Sequence, residues 1–472
     1  MGTILSASDA FRNYMLWAET REWRDFPATT RHRAILILAD NLAAACSAAD
    51  EPQVRAFRER ALAQGPAGAA SVLAHGRPRL NTHAAAMING LSMGWNEMDE
   101  GYRKAVCHAG LYVLPALLAA AEAEGASAQD TLRAAVLGYD AVARIARTWR
   151  FERLALHPHA VLAPVGAAAG VAFLRRLPAD ELVAAVAGAC ALGMTGAFNQ
   201  ATQGILIRNA WAGQGASIGL QAVEFARCGI GGSAVTPHDV YTALGAIEDL
   251  SYLDPVAAPG YAVEDGYHKM NACCQYAHSS IEAVQALLAK HPELKDTDAI
   301  ASITVQVHAL GYGLNDTAPV TTLGSKFSVP HAVASAFVHG HGGVAAFNTD
   351  ALNADAVAAL RGRVRLEAFP DPRPWPEDRP ARVSVATRSG EQYSEVCWSA
   401  QGGPDRPYSE AVLWDKIAAL SESVAPGLCA AMRRLDAAVG ADGAASMPAA
   451  SWSACMDDFF STRAGAASAA GR

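Results

Sequence analysis

The sequence predicts a mainly α-helical protein, a large all-helical domain with a smaller α+β domain inserted into it. Three observations predict this. Alanine recurs in blocks such as Ala116-Leu117-Leu118-Ala119-Ala120-Ala121-Glu122-Ala123-Glu124, where helix propensity is highest and small side chains let helices approach closely. From Thr30 to about Gly232, apolar residues return at three- and four-residue spacing between Gly, Pro and Asp breaks. After about Gly266 the texture changes to alternating β-branched runs. With 472 residues the chain exceeds one core of ordinary size, so two domains are expected.

Taken in order, helical periodicity covers Arg31 to Ala48, Asn81 to Asn96, Gly110 to Glu124, Ala128 to Thr148, Pro164 to Leu174, Ala179 to Gly193 and Asn209 to Cys228. Pro178-Ala179-Asp180-Glu181 supplies a proline and two acids to a helix start, where the unpaired amides and the dipole favour them. Strands are predicted at Ile303 to His308, Val364 to Ala368 and Ala381 to Thr387, with helices at Ser279 to Lys290 and His331 to His339. Pro370, Pro372, Pro374, Pro376 and Pro380 mark a loop between strands. Helical spacing resumes at Val412 to Leu420 and Gly427 to Val439, which places C-terminal helices back on the first domain. The expected division is residues 1–265 helical, 266–409 α+β, and 410–472 helical again, with a disordered tail from Ala464.

A net charge of −8 gives no overall attraction to nucleic acid or anionic lipid, so an anion site has to be local. The first residues, with Asp9, Arg12, Glu19, Arg21 and Glu22, carry no signal-peptide pattern, and the apolar run from Ala116 to Leu137 is broken by Glu122, Glu124, Asp130 and Arg133. A cytoplasmic protein without a membrane span is expected. Nine scattered cysteines, an odd number without the spacing of a secreted scaffold, read as free thiols. No dinucleotide fingerprint, phosphate-binding loop or H-E-x-x-H pair is present, and Gly229-Ile230-Gly231-Gly232 follows a helix rather than a strand.

Chemistry-bearing residues gather in five places. Asn96-Glu97-Met98-Asp99-Glu100-Gly101-Tyr102-Arg103 precedes His108 at a helix start, where carboxylates and an imidazole can exchange protons and helix amides can hold an anion. His157-Pro158-His159 lies ahead of a small-residue helix; without a carboxylate at ligand spacing the pair is a poor metal site. Arg208-Asn209-Ala210-Trp211 opens another helix, with a permanent charge suited to gripping a carboxylate. Lys269 and His278 flank the adjacent Cys273 and Cys274, read as turn fillers, and a helix-start imidazole should have its pKa lowered. Lys326-Phe327-Ser328-Val329-Pro330-His331 begins a helix of the second domain. Taken singly, each has a plainer reading as a cap, a packed arginine or a satisfied histidine.

Together and in this order, these segments resemble the 2-methylcitrate dehydratase (MmgE/PrpD) family, over about Thr30 to Phe460. The segment from Lys269 to Ala283 resembles that family's K-x-x-x-C-C-x-x-x-H-x-x-I-[DE]-A stretch. Departures are Ala109 for proline after His108, Arg208 for lysine, Trp211 for histidine, Gly215 for alanine and His331 for tyrosine. The resemblance implies a homodimer with no metal or organic cofactor, acting on a small di- or tricarboxylate by losing water or CO2. It also leaves open an isomerase or epimerase, and a non-catalytic binding protein on the same scaffold. Arg103, His157, Arg208 and Lys269 are the expected substrate-binding residues. Asp99, His108, His278 and His331 are the expected proton-transfer residues.

Overall fold

The computed structural model describes residues 6–65, 67–440 and 450–461; the tail expected to be disordered lies outside them. Helices dominate, and the buried apolar residues form two main cores. One draws on residues 10–263 and 413–459, the other chiefly on residues 272–397. The helix Pro158–Leu174 lies at the centre of the first, buried along its whole length, and packs against Ala109–Glu124, Ala128–Thr148, Ala179–Ala191 and Ile207–Arg227. The alanine and glycine content explains how so many helices crowd around one axis. A Cβ on Gly213 would fall 2.1 Å from the Met87 carbonyl oxygen, and one on Gly219 would fall 2.3 Å from the Ala167 Cβ. Backbones meet there with no side chain between them.

The central helix starts six residues before the expected Pro164. Proline there removes one amide, which leaves the Ala160 carbonyl without its helical donor. The Met194 N–H donates to that carbonyl at 3.0 Å, so the helix continues through the proline. Pro178 caps Ala179–Ala191 with Asp180 and Glu181 in the first turn, as the sequence indicates. The helices Ala7–Glu19 and Pro52–Gln64 go beyond the sequence reading. Ala7–Glu19 buries Phe11, Tyr14, Met15 and Ala18 on one face.

In the second core a four-stranded sheet has the order Gln392–Cys397, Ala381–Thr387, Ile300–Val307, Val364–Ala368. Val305 pairs with Val383 antiparallel on one side and with Leu366 parallel on the other. The edge strand Gln392–Cys397 is an addition to the three expected. Helices His278–Lys290 and Val329–His339 complete this core. The helices Glu410–Ser421 and Leu428–Gly440 pack on Ala28–Cys46 of the first domain. Among the described residues no helix is long and apolar enough to cross a membrane. All nine cysteines are free, seven of them buried.

Candidate active site

The loop after the helix Thr82–Trp95 carries the acidic groups. It is held in place by lysines from other parts of the chain. Lys326 Nζ donates to the Trp95 carbonyl and to Asn96 Oδ1, each at 2.9 Å. Lys416, from a C-terminal helix, donates to the Met98 carbonyl at 2.9 Å and pairs with Asp40 at 2.5 Å. Glu97 sits at φ 54°, a left-handed conformation unusual for a residue of its kind. The loop thereby turns Glu97, Asp99 and Glu100 inward, all essentially inaccessible to solvent.

Asp99 joins two partners. Its Oδ2 accepts from His108 Nδ1 at 2.6 Å, and its Oδ1 lies 3.4 Å from Lys269 Nζ. Burial opposes the charge on Asp99, but Lys269 and His108 outweigh it and hold the carboxyl far below its usual range. Burial likewise opposes the charge on Lys269, and Asp99 and Glu97 more than compensate. Glu100 lacks such a cation at hand. Burial pushes it up to about 8, although it accepts the Gly110 amide at 3.0 Å.

His157 caps the central helix, its Nδ1 accepting the His159 amide at 3.1 Å. Arg208 Nε lies 3.3 Å from the other ring nitrogen, Nε2, and donates to it when the ring proton sits on Nδ1. Burial, then Arg208, drives the His157 pKa well below its ordinary value. Arg208 is buried, 2.5 Å from Glu97 Oε1, and lies over the Phe327 ring at 4.9 Å. His159 pairs through Nδ1 with the Tyr112 hydroxyl at 2.8 Å and stacks edge-on against both His108 and His157. A cavity is lined by Glu97, His108, His157, Arg208, Gln275 and Phe327, among others. A neighbouring cavity is mainly apolar and shares Val106 and Pro158 with it.

Asp99, His108, His157, Arg208 and Lys269 are therefore gathered in one chain of contacts. Arg103, His278 and His331 are not. Arg103 binds Ser399 Oγ at 3.0 Å and the Pro376 carbonyl at 3.1 Å and lies over Tyr267 and Trp375, fastening the two domains together. His278 has both nitrogens engaged, Nδ1 with the Tyr267 hydroxyl at 2.8 Å and Nε2 with the Cys273 carbonyl at 3.1 Å. Burial first, then Lys269, lowers it to about 3; the direction expected at a helix start is found, with burial as its main cause. His331 bonds to the Ala346 carbonyl at 3.2 Å and to Arg361 at 3.1 Å, inside the second core. Burial brings it to about 4.

Glu97, Tyr112, His159 and Lys326 belong to this neighbourhood without having been assigned a role from sequence. His159 and Lys326 lie inside the quoted motifs, which was the available signal; nothing local marks Tyr112. Away from this site, and among the described residues, His32, Glu410 and Asp436 form a group whose composition could hold a metal. It lies on the C-terminal helices and Ala28–Cys46, where His32 bonds Asp436 at 2.7 Å and Glu410 at 3.1 Å.

Residues 15–241 match the MmgE/PrpD N-terminal domain and residues 272–438 the MmgE/PrpD C-terminal domain. Cis-aconitate decarboxylase of Aspergillus terreus is 26% identical, over 67% of this chain and 69% of its own length. The cis-aconitate decarboxylase-like protein oryM of Aspergillus oryzae is 25% identical, over 86% of this chain and 89% of its own. With both domain matches in order along the chain, this protein belongs to the MmgE/PrpD family.

Proposed function

We propose that this protein is a lyase that removes CO2 from a small unsaturated di- or tricarboxylate of the aconitate kind. The observation that carries the reading is the line Lys269–Asp99–His108, which ends on the same cavity as Arg208 and His157. Similarity to a cis-aconitate decarboxylase and to a cis-aconitate decarboxylase-like protein supports the reaction type.

Decarboxylation leaves an electron pair on carbon, which has to be delocalised and then protonated. In the proposed step the bond to the departing carboxylate breaks, and its electrons move through the adjacent double bond into a retained carboxylate. Arg208 holds that carboxylate, with Lys269 behind it, so the charge develops against fixed positive groups in a site largely closed to water. Asp99 holds His108 by Nδ1–H, and Nε2 of the protonated ring delivers the proton to carbon. CO2 leaves, and the ring is reprotonated from solvent. The Phe198 and Phe327 walls favour the neutral product over the charged group that produced it. No group outside the chain is needed in this scheme. A homodimer is part of the proposal on family grounds.

The test is proton NMR in deuterium oxide with cis-aconitate, 2-methylcitrate, citrate and amino-dicarboxylates. Loss of CO2 with one deuterium on the product carbon is the expected result. Loss of water would make the protein a dehydratase, and label exchange without loss would make it an isomerase. Inertness toward every acid would reject the enzymatic reading.

A further inference from the structure

Glu97 stands where a substrate carboxylate would be expected. Its Oε1 lies 2.5 Å from Arg208 Nη1 and its Oε2 3.4 Å from Lys269 Nζ, so one internal carboxylate spans both cations assigned to substrate binding. It lines the cavity, is 1% exposed, and is aimed there by a backbone in the left-handed region. Such strain persists only where the surroundings enforce it, and here Lys326 and Lys416 fix the loop on either side.

The charge of Glu97 depends on what surrounds it. Burial opposes ionisation, while Arg208 and Lys269 outweigh burial and hold the carboxyl below its usual range. Asp99 from the same loop works against ionisation, and His108 from the next helix favours it. The remaining titratable groups within electrostatic reach are His157 at the central helix, Cys273, Cys274 and His278 around the Lys269 turn, and Lys326.

We propose that Glu97 is an internal carboxylate that occupies the anion seat of the free protein and gives it up, taking one proton from solvent, when a substrate carboxylate binds. The inference rests on the polycarboxylate reading above. The proton balance follows from the exchange. An incoming carboxylate takes over Arg208 and Lys269, and Glu97 loses the cations that kept it charged. Remaining buried beside Asp99, it becomes the neutral acid. The exchange also sets specificity. A monocarboxylate only replaces one anion by another, whereas a second carboxylate adds contacts, as to His157 or His108, that the free protein does not already have.

The full chain is titrated calorimetrically with propane-1,2,3-tricarboxylate, a saturated acid with no double bond to receive the electrons of a departing carboxylate, at pH 7.5 in buffers of differing ionisation enthalpy. Wild type should take up about one proton per ligand bound, with Kd rising about tenfold per pH unit. Glu97→Gln should bind about a thousandfold tighter at pH 7.5, because no proton has to be taken up across the roughly three pH units above an ordinary carboxyl pKa, and its Kd should no longer follow pH. Infrared difference spectra of wild type alone provide a readout independent of the variant's folding: a protonated-carboxyl band must appear on binding. Absence of that band, binding without proton uptake, or uptake that survives in Glu97→Gln overturns the role of Glu97 and leaves the polycarboxylate reading standing. Failure of wild type to bind this acid or any acid of the NMR panel overturns both.

Discussion

His108 gives one ring nitrogen to Asp99 at 2.6 Å while its ring lines the cavity, whereas His278 spends both nitrogens on Tyr267 and the Cys273 carbonyl. His278→Ala therefore removes two buried bonds and should cost about 1–3 kcal/mol of stability in urea unfolding. Turnover of the folded protein should stay within about threefold, far from the effect of losing a proton donor; a hundredfold loss at unchanged stability would return His278 to the chemistry. Arg208→Lys keeps the charge but loses the planar fork that meets Glu97 and His157 together. It should raise KM about tenfold with little change in melting temperature, and an unchanged KM would remove Arg208 from substrate binding. The motif made Asp99, His108, His157, Arg208 and Lys269 legible as residues that could meet. It could not show which way His278 and His331 turn, because carbonyls that accept their protons come from turns fixed only by tertiary packing. Glu97 was written in the same motif, but its left-handed backbone has no sequence signal in a glutamate.

Helices Thr82–Trp95 and Ile207–Arg227 touch at Gly213, five residues past Arg208 on the helix that presents it. Gly213→Ala puts a methyl 2.1 Å from the Met87 carbonyl, so the helices must separate. The expected cost is about 1–3 kcal/mol, accompanied by a rise in KM as Arg208 shifts. A variant as stable and as active as wild type would show that this contact does not position the site. Helix spacing was readable wherever apolar residues repeated. It failed at Pro164, where the amide missing from the helix is replaced across the chain by Met194. The short loop around Glu97 depends on Lys326 and Lys416, which lie more than 200 residues further along the chain, a separation that no local pattern reports.

Across the whole molecule, buried neutral histidines set an acid limit on stability. Burial lowers His157 and His159 well below their ordinary value, and His278 and His331 to about 3 and 4. Below about pH 6.5 the unfolded chain binds protons at these positions that the folded chain refuses, so each costs up to about 1.4 kcal/mol per pH unit as pH falls. His268 and His308, lowered by burial too, add to these four, while Glu100, at about 8, and His32 and Glu19, both raised, keep protons that the unfolded chain releases and act with the opposite sign. The melting temperature should drop between pH 6.5 and 5, before ordinary carboxylates titrate; a flat profile to pH 5 would mean that these rings are not buried and neutral. That a mainly helical fold carries a smaller α+β part was legible in the change of periodicity along the chain. The way residues from both parts meet at one cavity was not. The central claim is that His108, held by Asp99, delivers the proton in a decarboxylation at that cavity. Its most direct test compares wild type and His108→Ala on cis-aconitate in deuterium oxide, following CO2 release and deuterium on the product, with melting curves to confirm folding. Turnover should fall at least about a hundredfold at an unchanged melting temperature, and turnover within about threefold of wild type would contradict this role of His108.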